Sequence, residues 1–386
     1  MKLRDFHHIT AIAVTCLFSA ALLLLPDPPS MNRGDFAVCR AKVLDVDNQD
    51  VALHGLLKCG SQRLDVELLS GRHKGKKFRA NNQLRAQMEL DKEFKKGDII
   101  TLNVPSGDFP PDTVLAARDH SRSLWIWVLG GIFCCFLLLF ASWTGLKAVL
   151  SFVFSFIVIW KAVIPALLAG WAPEVVIAGA TALLTFAIIF LVAGFTRKGL
   201  AAFCGAMAGV LTGLILSYLF TCLIRINGAV MPYCQTLYYS GYEFLDLQRL
   251  FAGTLILGAS GAVMDLAMDI AAGTEEIVRH NPEVSRKELI SSGMRIGQSV
   301  VGTMTTTLLL AYSAGFLTLL MMFRVEGHSL TAILDNPLVA SEAVKTLIGS
   351  FCLVLTAPFT AFISGYIYRS KESLNGNAED FRSPPA

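Results

Sequence analysis

Two aspartates set into an apolar run are the first residues of this 386-residue chain that could do chemistry. The stretch from Gly253 to Gly273 reads GTLILGASGAVMDLAMDIAAG, and in it Asp265 and Asp269 stand four residues apart. That spacing puts both carboxylates on one face of a helix. Ionisable side chains are costly in hydrocarbon, so each is a functional candidate. Two carboxylates repel when both are charged, an arrangement that suits a proton relay or a cation site. The plainer alternative is that Asp269 sits solvated at the cytoplasmic end, with Asp265 about two turns in. Lys161, shortly before Pro165 in another apolar run, either snorkels toward the interface or needs a buried partner, for which Asp265 is the candidate. A third run carries hydroxyls. Thr303, Thr307 and Ser299 share a stripe beside Gly302, with Thr305, Thr306, Tyr312 and Ser313 in the same run. Such a stripe either bonds a neighbouring helix or lines a wet path. Asp265, Asp269, Lys161, Thr303 and Thr307 are therefore the candidate substrate or ion pathway.

Enzymatic readings fare worse. Gly258-Ala259-Ser260-Gly261 matches the G-x-S-G around the nucleophile of rhomboid-like proteases. A serine nucleophile needs a base, and none of the seven histidines falls inside an apolar run. An aspartyl intramembrane protease needs carboxylates from two helices, whereas these share one. No G-x-x-x-x-G-K-[ST] is present, which excludes a P-loop ATPase. The cysteines have no metal-ligand spacing. Cys39 and Cys59 lie in a polar block, where a disulfide and two thiols are both open readings. No catalytic residue, cofactor or metal is expected, and the chain is not expected to be an enzyme. Gly205, Gly209 and Gly213 recur every four residues, and Gly258, Gly261 and Gly302 flank the polar positions. All six are small residues that permit close helix packing.

The elements that must position these residues follow from the distribution of charge. Charged residues are 16% and hydrophobic ones 54%, against about 25% charged in a soluble chain. Residues 26–122 hold 30 charges, while the 99 residues 124–222 hold only five. The first block belongs in water and the second in a bilayer. A net charge of +3 gives no footprint for nucleic acid. Runs at 9–25, 124–142, 149–169, 175–195, 200–223, 250–272, 299–322 and 344–366 approach the roughly 20 apolar residues of a membrane-crossing helix. The expected fold is an α-helical polytopic membrane protein with about eight transmembrane helices and a small extracytoplasmic β-barrel-like, OB-like domain. Its parts are an anchor helix at 1–25, read as uncleaved, a β-rich domain at 26–123, a seven-helix domain at 124–369 and a polar cytoplasmic tail at 370–386. Strand-like alternation supports the barrel. Leu64, Val66 and Leu68 oppose Asp65 and Glu67, and Ile100, Leu102 and Val104 repeat the pattern. A basic turn, Arg72-His73-Lys74, lies between Gly71 and Gly75. With a cytoplasmic N-terminus, inner segments hold twelve Lys and Arg and the short outer loops four, which places both termini inside and the β-rich block outside. Between the sixth and seventh runs, Ser285 and Glu288 stand in capping-box relation at the start of a short amphipathic helix.

The stretch from Gly258 through Tyr312, with its Met264-Asp265 core and its Gly302-Thr303-Met304-Thr305 run, resembles the YibE/F family of bacterial multi-pass membrane proteins. The resemblance extends to the Arg122 entry, the Lys161 and Pro165 region, the Thr196-Arg197-Lys198-Gly199 loop and the Gly71 to Lys76 turn. It implies a cytoplasmic-membrane location and supplies no reaction; transport is the common expectation for the family. It also implies a small polar residue where Asp269 stands, which makes Asp265 the better of the two carboxylates. The expected function is a secondary transporter or exporter of a small solute or ion, proton- or cation-coupled through Asp265. Its partners are the lipid bilayer, that solute and a second copy in a homo-oligomer, without nucleic acid. The alternative is an envelope protein whose outer β-domain binds or senses a partner, with the helices as anchor and oligomer interface.

Overall fold

The computed structural model describes residues 3–24, 36–55, 57–88, 91–107, 109–110 and 112–369. The expected tail at 370–386 and the start of the polar block lie outside these residues. Contacts divide the chain into two units, Pro29–Leu137 and a helical unit of Met1–Pro28 with Leu138–Ala386.

The first unit is a closed five-stranded barrel. Its strands are β1 (Phe36–His54), β2 (Leu57–Leu68), β3 (Lys77–Arg85), β4 (Ile99–Pro105) and β5 (Leu115–His120), ordered β1-β2-β3-β5-β4. Alternation makes the barrel: Leu64, Val66, Leu68, Ile100, Leu102 and Val104 are all buried in one core with Phe78 and Phe94, as their period of two requires. β1 is long enough to serve both sides, pairing with β4 through 36–42 and with β2 from Ala41 onward. Two register shifts in its pairing with β2, between Val43 and Asp45 and between Asp47 and Asp50, bend it around the corner. Gly60 lies against the second shift with φ +117°, where a Cβ would collide with the Asp50 carbonyl. Polar groups are few inside and fully used. Gln62 Oε1 accepts from the Phe94 N–H (3.0 Å) and from Asn82 Nδ2 (3.1 Å), and its Nε2 donates to Asn48 (2.9 Å) and the Phe94 carbonyl (3.0 Å). Cys39 is buried and Cys59 half-buried, both as free thiols.

In the helical unit α1 (Leu3–Leu23) precedes the barrel, and α2 (Ser123–Val158) follows it. Ser142 interrupts α2 with φ 45° and ψ −115°, outside the helical region. After α2 comes a π turn, Ile159–Val163, and then α3 (Ile164–Leu168). The cause is Pro165: it has no N–H for the carbonyl four residues back, and Ile164 N–H bonds the Ile159 carbonyl instead. The remaining helices are α4 (Pro173–Ala193), α5 (Arg197–Leu223), α6 (Cys234–Tyr239), α7 (Leu247–His280), α8 (Arg286–Ala314), α9 (Leu317–Glu326), α10 (Leu330–Asp335) and α11 (Pro337–Tyr368). The Ser285–Glu288 capping box is present, but the helix it starts runs on to Ala314 instead of stopping as a short surface helix.

The apolar runs predict eight membrane-length helices, and the structure bears out part of that number. Among the described residues five helices are long and apolar enough, or six if α8 and α9, bent by 68°, form one span. The apolar part of α1, Ile12–Leu23, is too short. The second and third expected runs form one continuous stretch, Ser123–Leu168, kinked at Ser142, where the first of the two runs ends.

The core is α7 enclosed by α4, α5, α11 and α8. Gly205, Gly209 and Gly213 press α5 onto α11, where added Cβ atoms would overlap Thr360, Thr356 and Cys352. Gly293 and Gly297 bring α8 onto the other side of α11, against Ala361 and Ala357. Ion pairs pin both ends of α7: Arg249 to Glu174 of α4 (2.9 Å), and Glu275 to Lys198 of α5 (3.4 Å).

Two measurements probe these elements. Gly209→Ala should destabilise the helical unit by about 1–3 kcal/mol through overpacking in thermal unfolding in detergent, while Gly302→Ala, open on all sides, should change it little. In the barrel, the Asp91 carboxylate accepts from the backbone N–H of Arg85 and Gln87, which holds it below its ordinary value of 3.8. A folded-state value lowered in this way stabilises above the ordinary value and loses its contribution as pH falls through the lower one. The protection of the Arg85 and Gln87 amides, measured by hydrogen exchange relative to the intrinsic rate at each pH, should therefore fall on acidification into that window, and Asp91→Asn should remove the dependence.

Candidate functional site

The helix that carries the two aspartates is buried on three of its sides. Val263, Met264, Leu266, Ala267, Ile270 and Ala271 of α7 all lie in the main apolar cluster. Asp265 and Asp269 take the fourth side and are exposed, in line with Gly258 and Gly261. Which neighbours bound that side follows from the packing. α4 packs on α5, α5 on α11, and α11 on α8. α4 and α8 share no such packed interface, so the ring around α7 is open between them. The exposed carboxylates lie in this gap.

α8 forms one wall. Gly273 stands against Ile296 and Gly258 against the Tyr312 hydroxyl. With these two contacts fixing the register of the antiparallel pair, Asp265 falls level with Met304 and Thr305, and Asp269 with Val300 and Val301. On α8 the exposed residues between Gln298 and Thr307 are polar or small: Gln298, Ser299, Gly302, Thr303, Thr306 and Thr307. Thr303 and Thr307 donate to the carbonyls of Val300 (2.9 Å) and Thr303 (3.0 Å), and Thr305 and Thr306 to those of Val301 and Gly302. Each hydroxyl is thus satisfied by its own helix. Among the described residues none of the four bonds a neighbouring helix.

Neither Asp265 nor Asp269 has a hydrogen bond or ion pair among the described residues, and the two repel one another. The expected pairing with Lys161 is not found. Lys161 is half-buried in the π turn, and that turn packs on α1, α3 and α4. From α7, Leu257 packs against the apolar cluster that holds Val158, Val163 and Leu184, and it stands about two helical turns from Asp265. The Pro165-induced turn faces a different stretch of α7 from the one that carries the carboxylates.

The glycines divide by role. Gly205, Gly209 and Gly213 are contact positions, as described above. At Gly261 and Gly302 an added Cβ would meet nothing within 4 Å, and at Gly258 it would meet only the Tyr312 hydroxyl, at 3.0 Å. Gly261 and Gly302, expected as packing positions, meet no neighbour and widen the gap by carrying no side chain, whereas Gly258 does stand close against α8 at Tyr312. Lys147 carries no signal of its burial in the sequence. It resembles a loop marker between two apolar runs but is only 5% exposed on α2, since the helix continues through it.

Two family models match the chain. One, described as YibE/F-like protein, covers residues 129–370, and the other, the YibE/F family N-terminal domain, covers 40–109. No curated protein and no solved structure matches it.

Side chains in the gap should be reachable from water in the membrane, and those on the opposite side of α7 should not. With the native cysteines replaced, Asp265→Cys and Asp269→Cys should react with a membrane-impermeant thiol reagent, whereas Ala267→Cys, fully buried, should stay unlabelled. Equal labelling of all three would contradict the geometry.

Proposed function

The chain belongs to the YibE/F family, and from that premise we propose that it is a secondary transporter or exporter of a small solute or ion, coupled to protons or cations through Asp265. The observation that carries this reading is the pair of unpartnered carboxylates on the open side of an otherwise buried, membrane-length helix. Facing lipid, a charge at mid-bilayer would cost about 2.5–3.5 kcal/mol even on insertion scales. A water-filled path between α4 and α8 removes that cost and supplies the ion that the carboxylates would exchange. Asp265 and Asp269 are then the coupling groups, and the exposed Thr303 and Thr307 line the same path. Lys161 contributes at most from the flank, through α4. No bond is made or broken on the solute, and no cofactor enters.

The finer architecture belongs to the same proposal. The chain sits in a bacterial cytoplasmic membrane with both termini inside and the barrel outside, following the twelve-to-four excess of Lys and Arg on inner segments. Eight crossings result if Ser142 divides the long stretch Ser123–Leu168 and α1 serves as an anchor. The strand order β1-β2-β3-β5-β4, with a first strand shared by both sides, supports the OB-like description of the barrel. Lipid surrounds the helices, and a second copy is a partner of the homo-oligomer proposed with them.

Inside-out vesicles loaded with a pH-sensitive dye test the coupling. A solute or cation from a broad panel should dissipate or build a proton gradient with the native chain, and Asp265→Asn should abolish the response while the protein level is unchanged. Asp269→Asn should weaken it less. A response identical in Asp265→Asn would remove Asp265 from the mechanism, and silence of the native chain across the panel would argue for the partner-binding alternative.

A further inference from the structure

The barrel has one weak seam, and a cavity opens there. β3 and β5 run parallel and pair only through Ala80 with Leu115 and Asn81 with Ala116, although both strands continue beyond those residues. Past that point Lys92 spans the seam in place of a ladder. Its carbonyl accepts from Asn82 Nδ2 at 2.5 Å, and its ammonium donates to the Arg118 carbonyl at 3.2 Å and pairs with Asp119 at 3.1 Å. Braced in this way, the seam encloses about 470 Å³, inside the roughly 300–1,000 Å³ range of small-ligand sites.

The lining states what would fit. Arg85 and Arg118 border the cavity and are exposed, and neither enters an ion pair among the described residues. The ion pairs of the barrel start instead from Lys58, Arg63, Lys92, Lys96, His120 and Arg122. The two described acids beside the cavity are already engaged. Asp91 accepts from the backbone N–H of Arg85 (2.9 Å) and Gln87 (2.8 Å), and Asp119 is held by Lys92 and Arg122. Among the described lining residues three cations, Arg85, Lys92 and Arg118, stand against one carboxylate, Asp91, and the two guanidiniums present this excess of positive charge in the planar fork that matches carboxylate and phosphate. Asn81 and Gln83 add amides, which both donate and accept and so suit a frame of hydroxyls. Among the described residues no aromatic ring lines the cavity, which leaves a nucleic-acid base without a stacking surface.

We propose that this seam binds a small hydroxylated anion, a sugar acid or a polyol phosphate, with Arg85 and Arg118 on the acidic group and the amides of Asn81 and Gln83 on the hydroxyls. The site rests on the barrel alone and stands or falls independently of transport by the helices. Isothermal titration of the full chain in detergent tests it with glucuronate and glycerol phosphate, and with glycerol and inorganic phosphate as separate arms. At least one of the two hydroxylated anions should bind, more weakly as salt rises. Arg85→Gln or Arg118→Gln should each weaken that binding roughly tenfold or more at unchanged thermal unfolding, and glycerol should not bind. Competition by phosphatidylglycerol vesicles would identify a lipid headgroup as the source of the anion, and its absence a free solute; both agree with the proposal. No binding of either anion at millimolar concentration, or binding that both substitutions leave intact, would overturn it. Inorganic phosphate bound as tightly as glycerol phosphate would overturn the role of the amides.

Discussion

Backbone pressed against backbone at glycine is the interaction on which the helical unit depends. Lipid gives little hydrophobic drive for one helix to join another, so association rests on close packing. Here α11 receives α5 on one flank through Gly205, Gly209 and Gly213, and α8 on the other through Gly293 and Gly297. These two contacts fix where α7 lies. They also fix where it is not covered, because the helices drawn tightly around α11 cannot also close over the far side of α7. The open side is thus a consequence of the tight side, and the carboxylates occupy it.

Much of this was legible in the sequence. The barrel announced itself through alternation, since a period of two has only one way to bury Leu64, Val66 and Leu68 together. Asp265 stood out because a charge in an apolar run has few inexpensive explanations. The every-fourth-residue glycines of α5 lie where such a pattern should, against a partner helix. Other features could not be read. Gly261 and Gly302 look the same in sequence as the packing glycines but face the gap, because a small residue reports that space is needed without saying whether a helix fills it. Ser299, Thr303 and Thr307 suggested bonds between helices, yet each hydroxyl turns back on its own backbone, the cheapest partner within reach. The pairing of Lys161 with Asp265 failed for a related reason. Depth in a bilayer can be estimated along a chain, but which helix stands beside which is a property of the assembled unit.

The two units handle polarity by opposite means. The barrel takes a few uncharged polar groups inside and satisfies each one, as around Gln62, so that a loop is fastened to the wall through Phe94. The helices bury several hydroxyls that answer to their own carbonyls, as Thr274, Thr356 and Thr360 do, and keep Asp265 and Asp269 outward. In the barrel, buried polarity specifies shape. In the helices, polarity that is not buried marks where a solute or an ion has room.

The π turn at Ile159–Val163 carries a different kind of information. A turn of this type holds one residue more than an α-helical turn, so every residue after it is rotated about the helix axis by one step of roughly 100°. Ile164–Leu168 therefore shows its neighbours a face that a regular continuation of α2 would have pointed elsewhere. Proline creates this offset without breaking the rod. A single residue gained or lost in these five positions acts on orientation rather than length, and the segment serves as the helix's rotational set screw.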